Sequence, residues 1–441
     1  MSIVIIGGGP AGCAAAHHLH QHGLSPILLE ADEHIGGRTR SMRKEGFVLD
    51  TGAGFVTNFY PRLFKIAREN NWTPLIQKMN RISGLYRHGT TANLNIGSAI
   101  SFARFPFLNV VEKMKMASWT LGCTLKKSSL DLALPQTLTA LDTMSIEEYA
   151  HTKLTQNIYH ALIRPGIEPF WYFSCAQASA ALLVGLTSQA AGASFYSLPQ
   201  GIDQITHKLT ENINIKTKTR VEKIHPHNNQ FRVVYQNQDS SSYIDAEAVI
   251  IATTATVAQQ LLHESLHLLH PQQQEFLKTQ KYAANIHACF RIKTQNSPPA
   301  AGSIFPCDDK NRTLAALSFH RAKHQDYKRE EELVSIYLSD VFSRSLLSKS
   351  DEHVYQTCWA QARQVCPSLP QESDPFALFR RDEAIPIHAP GRYQKAVAFQ
   401  NLQKHQSIQF CGDYLATATI EGAIASGQQA ATNALKKLKA L

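Results

Sequence analysis

The sequence predicts an α/β protein in which a parallel-sheet domain built on a Rossmann-type βαβ unit is interleaved with an α+β domain. Three observations predict it. The apolar run Ser2-Ile3-Val4-Ile5-Ile6 reads as a strand buried on both faces, and a glycine-rich turn leads from it into a small, alanine-rich helix over 10–22. Pro26-Ile27-Leu28-Leu29-Glu30 completes this βαβ unit as a second buried strand. The strand–helix alternation gives way to helical patterns over 80–199 and returns near residue 200, as it would if one domain were inserted into another. A chain of 441 residues exceeds the usual size of one domain. The expected division assigns 1–79, 200–262 and 390–441 to the parallel-sheet domain, and 80–199 and 263–389 to its partner.

The remaining elements follow in order. Phe47–Asp50 and Ile82–Tyr86 read as strands, and Pro61–Asn70 as a helix. Helical patterns near 98–127, 145–163 and 175–190 are punctuated by Pro165, Pro169 and Pro199. Gly201–Asn212 reads as a helix, and Ile213–Thr217, Arg220–Pro226, Phe231–Gln236 and Tyr243–Ala246 as strands. Ala248–Thr253 is another fully apolar strand, and Tyr282–Lys293 alternates as an amphipathic strand would. Glu330–Leu347 reads as a helix, Ile408–Asp413 as the end of a strand and Ile420–Leu438 as the last helix.

Composition narrows the function classes. With 44% hydrophobic and 18% charged residues the chain is globular. Its net charge of +9 suits anionic ligands or surfaces, but the basic residues are scattered and form no nucleic-acid motif. The 20 histidines show no metal-binding spacing, so no metal is expected. None of the 8 cysteines forms a CxxC pair, which fits reduced core thiols of a cytoplasmic protein. The N-terminal apolar stretch lacks a basic residue before Arg38, so it is not expected to be a signal peptide, and no apolar run reaches membrane-spanning length.

The turn Gly7-Gly8-Gly9-Pro10-Ala11-Gly12 carries the first chemistry. Gly7 permits the tight turn, Gly9 lets backbone approach a pyrophosphate, and Gly12 lets the helix pack close to the strand. The helix N-terminus then offers free N–H groups and the positive end of its dipole. Glu30, followed by Ala31, ends the second strand where a carboxylate accepts hydrogen bonds from ribose hydroxyls and repels a 2′-phosphate. Such a Rossmann-type unit alone does not separate NAD from FAD.

The next loops do. Gly36-Gly37-Arg38-Thr39 and then Asp50-Thr51-Gly52-Ala53-Gly54-Phe55 resemble the flavin amine oxidase superfamily, in which a Gly-Gly-Arg loop lies over FAD. Two glycines allow close backbone approach, and Arg38 can neutralise diphosphate charge or stand as a solvated surface arginine. Gly412-Asp413 and Thr419-Ile420-Glu421-Gly422-Ala423 resemble the family's C-terminal FAD motif, whose helix N-terminus points at the flavin and stabilises negative charge there. Val221 falls at the family's adenine-contacting valine, and Thr253 ends the strand that follows. The resemblance covers nearly the whole chain. It implies FAD as cofactor and an amine-oxidase- or glutathione-reductase-like two-domain fold.

The substrate side is less defined. Amine oxidases of the monoamine type carry a tyrosine where Thr419 stands, and a lysine near the flavin where the resemblance places His287. His287 reads either as a proton relay near neutral pH or as a satisfied strand histidine. Ser145–Tyr149, Arg164-Pro165-Gly166, Ser179-Ala180, Ser197–Ile202 and Asp382–Pro386 are similar in order to protoporphyrinogen-oxidase-like and desaturase-like members. Trp171, Tyr172 and Phe173 read as pocket lining or plain core. Residues 100–127 mix apolar residues with Lys113, Lys115, Lys126 and Lys127, as in a helix that lies on an anionic membrane or in one with an ordinary solvated lysine face. The reading is an FAD-dependent dehydrogenation of an apolar small molecule, with oxygen or another electron acceptor. An amine or amino-acid oxidase is the alternative, and a flavin-free binding protein of the GDP-dissociation-inhibitor type is the alternative from outside catalysis.

Overall fold

Ile3–Ile6 lies at the centre of a five-stranded sheet in the order Asn214–Lys216, Ile27–Leu29, Ile3–Ile6, Ala248–Ile251, Ile408–Phe410. Every pairing in it is parallel. The computed structural model describes residues 2–80, 82–237, 240–296, 301–307, 313–323 and 330–439. The central strand is buried on both faces, which is why its sequence is continuously apolar. On one face lie two helices, Pro10–Gln21 and Ile420–Lys439. They approach closely because their contact is made of alanine and glycine: a Cβ on Gly427 would sit 2.1 Å from the Ala11 carbonyl oxygen. On the other face an antiparallel meander of Thr219–His227, Gln230–Asn237 and Ser240–Ala246 supplies Val221, Ile224 and Val233 to a second apolar core.

A seven-stranded mixed sheet forms the other half of the molecule, in the order Asp374–Pro386, Tyr282–Lys293, Glu331–Leu338, Leu314–Phe319, Ser303–Pro306, Ile82–Arg87, Thr90–Asn95. Helical segments between residues 99 and 188 pack around Leu138, Ile158 and Leu182 beside it. One of them passes through a π-helical turn at Tyr159–Ile163. The mixed α/β architecture with its parallel sheet is the one expected from the sequence.

Two expectations need correction. Glu330–Leu347 is not one helix: Glu331–Leu338 is a strand, and only Asp340–Leu346 is helical. The glutamates favour a helix, but Val334, Ile336 and Tyr337 favour a strand, and the two flanking strands decide the matter. Tyr282–Lys293 is a strand, but it is not amphipathic. Ile286, Ala288, Phe290 and Ile292 share a core with Val354, Cys358 and Trp359 of helix Asp351–Val365, while Ala283, Asn285, His287 and Cys289 are buried on the opposite face. That helix, the long strand Asp374–Pro386 and helix Arg392–Gln403 were not anticipated. All eight cysteines are buried and free.

Candidate functional site

Backbone contacts impose the glycine turn. Gly7 has φ +104°, and its N–H donates to the Leu29 carbonyl at 2.8 Å, which joins the turn to the second strand. A Cβ on Gly12 would lie 2.0 Å from the Gly7 oxygen, so only glycine lets the helix start there. Thr253 packs beneath the turn, its methyl 3.4 Å from the Cβ position of Gly7. Around the corresponding position of Gly9, by contrast, there is no atom within 4 Å. Pro10 occupies the first turn of the helix, and no acidic side chain there offsets the positive end of the dipole. An open glycine at an unneutralised helix N-terminus fits a diphosphate. Glu30 lies alongside, with Oε2 accepting from the Gly8 N–H at 2.7 Å and Oε1 from the Asp32 N–H at 2.8 Å, across Ala31.

The second glycine loop stacks on the first. The Gly36 N–H donates to the Gly8 carbonyl at 2.8 Å, and the Cβ position of Gly37 is 3.4 Å from the Gly9 Cα. Thr39 closes this loop by donating from its hydroxyl to the Gly36 carbonyl at 2.8 Å. Arg38 then reaches across the molecule. It donates to Asp413 at 2.7 Å and to the Ala384 carbonyl at 3.1 Å, so it bridges the two sheets. The third loop packs on its backbone: the Ala53 N–H donates to the Arg38 carbonyl, and a Cβ on Gly52 would come within 2.1 Å of that oxygen. Gly54 faces the Lys323 ammonium, and Phe55 makes edge contacts with Phe170 and Phe195.

The C-terminal motif closes the cradle. Gly412 has φ +156°, and its N–H donates to Ser426 at 3.0 Å. Thr419 caps the last helix: its hydroxyl accepts from the Gly422 N–H at 2.9 Å, and its carbonyl from the Ala423 N–H at 3.0 Å. Ile420 is buried beneath this turn. The Glu421 carboxylate turns away from the helix that carries it. It accepts from the Arg62 and Leu63 N–H groups at 2.8 and 3.1 Å, and so caps the neighbouring helix Pro61–Glu69. Burial pushes its carboxyl up, against the pull of those donors and of the Arg62 guanidinium. Val221 is buried in the meander, at a break in strand register.

Facing these loops is a wall of rings from the mixed sheet. His287 is opposite Tyr337 on one neighbouring strand and Phe379 on the other, so all three share a face. Its ring stacks on Tyr337 at 4.4 Å and tilts against Phe379 at 5.4 Å, and Tyr172 extends the stack beyond Tyr337 at 6.2 Å. His287 is fully buried, and neither ring nitrogen has a hydrogen-bond partner. Burial, with the Arg381 and Lys323 charges, pushes its pKa down to about 3. Burial therefore favours its uncharged form, in which one ring nitrogen keeps a proton and the other can accept one. Trp171 donates to the Ala418 carbonyl at 3.2 Å, which ties the helical segment to the turn before Thr419.

Three residues here were not singled out from the sequence. Lys323 pairs with Asp50 at 2.6 Å and lies beside Gly54. Tyr337 was hidden in the stretch read as helix. Arg381 donates to the carbonyl and hydroxyl of Thr51, at 2.5 and 2.9 Å, just before Gly52. The sequence signal was Arg380-Arg381 within a strand, but pairing alone decides which arginine faces the loops. Among the described residues there is no cluster of metal-ligating side chains, and no helix is long and apolar enough to cross a membrane.

Residues 10–435 match the family model "Flavin containing amine oxidoreductase". The flavin-containing amine oxidase B of Homo sapiens is 34% identical over 87 residues, 20% of this chain and 16% of that protein. Protoporphyrinogen oxidase 2 of Arabidopsis thaliana is 33% identical over 85 residues, 18% of this chain and 17% of that protein. The chain thus matches these curated relatives over less than a fifth of their length. Over whole chains, the structure is similar to that of an Exiguobacterium sp. 255-15 protein provisionally named protoporphyrinogen oxidase. The TM-score is 0.76 at 17% identity, covering 99% of each chain, a likeness of fold.

Proposed function

The chain belongs to the flavin containing amine oxidoreductase family, with FAD as its cofactor, and we propose that it dehydrogenates an apolar small molecule by hydride transfer. A protoporphyrinogen-oxidase-like or desaturase-like reaction ranks ahead of amine or amino-acid oxidation. The observation that carries this reading is the pairing of an open glycine cradle with a buried ring wall. Gly9 leaves room for a diphosphate, and Thr51, next to Gly52, is tied to Arg381 on the sheet face that carries His287 and Tyr337.

In this reading Gly7, Gly9, Gly12, Gly36, Gly37 and Glu30 hold the cofactor's nucleotide end, while Arg38 and Asp413 stand as a preformed ion pair at its middle. FAD supplies the two-electron acceptor, and oxygen or another acceptor restores it. The protein's own contribution is to orient the substrate against the ring wall and keep water out. His287, its pKa pushed down by burial, would stand as an uncharged imidazole between Tyr337 and Phe379. Thr419 acts by fixing the start of the last helix. Residues 1–79, 200–262 and 390–441 would form the FAD-binding domain and the remainder the substrate domain.

Purified protein should be yellow with bound flavin. Anaerobic mixing with porphyrinogens or carotenoid precursors should bleach it. Bleaching by simple amines alone would reverse the ranking. A flavin-free preparation that cannot be reconstituted would favour the binding-protein alternative and defeat the oxidoreductase reading.

We further propose a cytoplasmic protein that contacts membranes peripherally through 100–127. Helix Val110–Thr124 turns Glu112 and Cys123 inward, while Ile100, Val110, Val111, Met114, Leu121 and Leu125 are exposed, Leu125 by 77%. Lys113, Lys115 and Lys126 border this apolar face, a charge pattern complementary to anionic headgroups. The protein should co-sediment with phosphatidylglycerol vesicles and not with phosphatidylcholine vesicles, and Val111→Glu should release it. Equal sedimentation of that variant would refute the face.

A further inference from the structure

The arginines around the glycine loops are almost all neutralised. Arg38 pairs with Asp413 at 2.7 Å, Arg40 with Asp32 at 2.8 Å and Arg43 with Asp203 at 2.8 Å. Arg62 has both Asp131 and Glu421, and the nearby Lys323 has Asp50. Arg381 differs. Its two hydrogen bonds go to the uncharged Thr51, and among the described residues no carboxylate pairs with it. A guanidinium has five N–H donors, so three remain.

Its position sharpens the contrast. Arg381 lies opposite Asn285, two residues along from the His287–Phe379 pair, and on the same sheet face. It therefore stands beside the stacked rings of Tyr172, Tyr337 and His287. His287 itself is fully buried, whereas Tyr337 and Tyr172 on the same stack are only partly buried. A shielded cation without a counter-ion favours an anion, and a planar guanidinium favours a planar carboxylate, which it can bind bidentately.

We propose that Arg381 is the receptor for a carboxylate on the substrate, whose apolar or aromatic body lies along the stacked Tyr172 and Tyr337. This rests on the oxidoreductase reading above and narrows its substrate class. Thr51 holds the guanidinium against the loop that opens with Gly52, so the bound carboxylate would fix one end of the substrate relative to the flavin.

The test uses the FAD-loaded protein with benzoate as probe and benzamide as its uncharged control, following the flavin absorption spectrum. Benzoate should perturb the spectrum saturably, with benzamide at least tenfold weaker. Arg381→Gln should weaken benzoate at least tenfold while retaining FAD, and Arg381→Lys should recover part of the loss by restoring charge without the fork. Equal binding of benzoate and benzamide by the unaltered protein would overturn the proposal, and that comparison needs no variant to fold. Benzoate binding unchanged in Arg381→Gln, together with a shifted flavin reduction potential, would also overturn it, because the cation would then serve the flavin. A protein that binds no flavin defeats the oxidoreductase reading itself, whereas a yellow protein indifferent to benzoate defeats only the Arg381 assignment.

Discussion

The two sides of the candidate site are built from different parts of the chain. In the cradle, backbone does the positioning: glycines stack at Gly8–Gly36 and Gly9–Gly37, and the charged side chains are mostly paired. On the wall, side chains do it: three rings and a cation from three neighbouring strands meet on one sheet face. In the proposed reading the cradle serves a ligand met in one fixed pose, while Arg381 on the wall keeps donors free for a substrate. Variants on either side should separate these roles.

The largest expected effect comes from Glu421, where the sequence reading and the geometry differ in emphasis. As a carboxylate buried under two backbone donors and Arg62, it holds helix Pro61–Glu69 in place. Glu421→Ala removes that cap and a largely buried ion pair, so it should lower the stability of the flavin-free protein by about 3 kcal/mol in urea denaturation. A variant that weakens flavin retention but leaves the flavin-free protein at full stability would show that Glu421 acts only on the cofactor.

A smaller effect separates glycines that the cradle requires from those it does not. Alanine stabilises an exposed helix interior by about 1 kcal/mol relative to glycine. Gly122, in helix Val110–Thr124, has nothing within 4 Å of its Cβ position, so Gly122→Ala should be stabilising by that amount. Gly427 has the Ala11 carbonyl 2.1 Å away, so Gly427→Ala should destabilise by about 2 kcal/mol despite the same propensity gain, by prising apart the helices that carry both ends of the cradle. Equal shifts in urea midpoint for the two variants would mean that the helix contact adjusts at no cost.

This contrast also explains what could be read from the sequence. Gly7, Gly12, Gly52 and Gly422 each stand where a Cβ would strike nearby backbone, at 3.0 Å or less, so local spacing carries the cradle almost complete. The flanking strands were legible for a related reason: buried on both faces, they are uniformly apolar. The wall has no such local signature. His287 meets Tyr337 and Phe379 only through pairing across long stretches of chain, and Lys323 meets Asp50 across 273 positions. Glu331–Leu338 was misread because its glutamates suit a helix, and its status as a strand depends on neighbours on both sides. Thr419 and Glu421 were correctly seen to open a helix, but nothing in their spacing said that one side chain caps that helix and the other caps its neighbour.

The effect smallest at neutral pH is a slope. His287 has a pKa of about 3 in the folded protein, below its ordinary value of 6.5. Between those values the unfolded chain holds a proton that the folded chain refuses. The stability present above pH 6.5 is therefore lost as pH falls towards 3, by about 1.4 kcal/mol per pH unit where the difference is one full proton. His287→Phe removes that difference while keeping a flat ring between Tyr337 and Phe379. Urea denaturation at pH 4.5, 5.5 and 6.5 should show the variant losing about 1 kcal/mol less per pH unit than the unaltered protein, with little change at pH 7. His388 and His18, each with a pKa pushed down to about 4 by burial, still titrate in this window, so the variant keeps a residual acid slope. Parallel slopes would mean that the folded protein protonates His287 as readily as the unfolded chain does. The ring would then have a partner, and the wall would be as fully satisfied as the cradle.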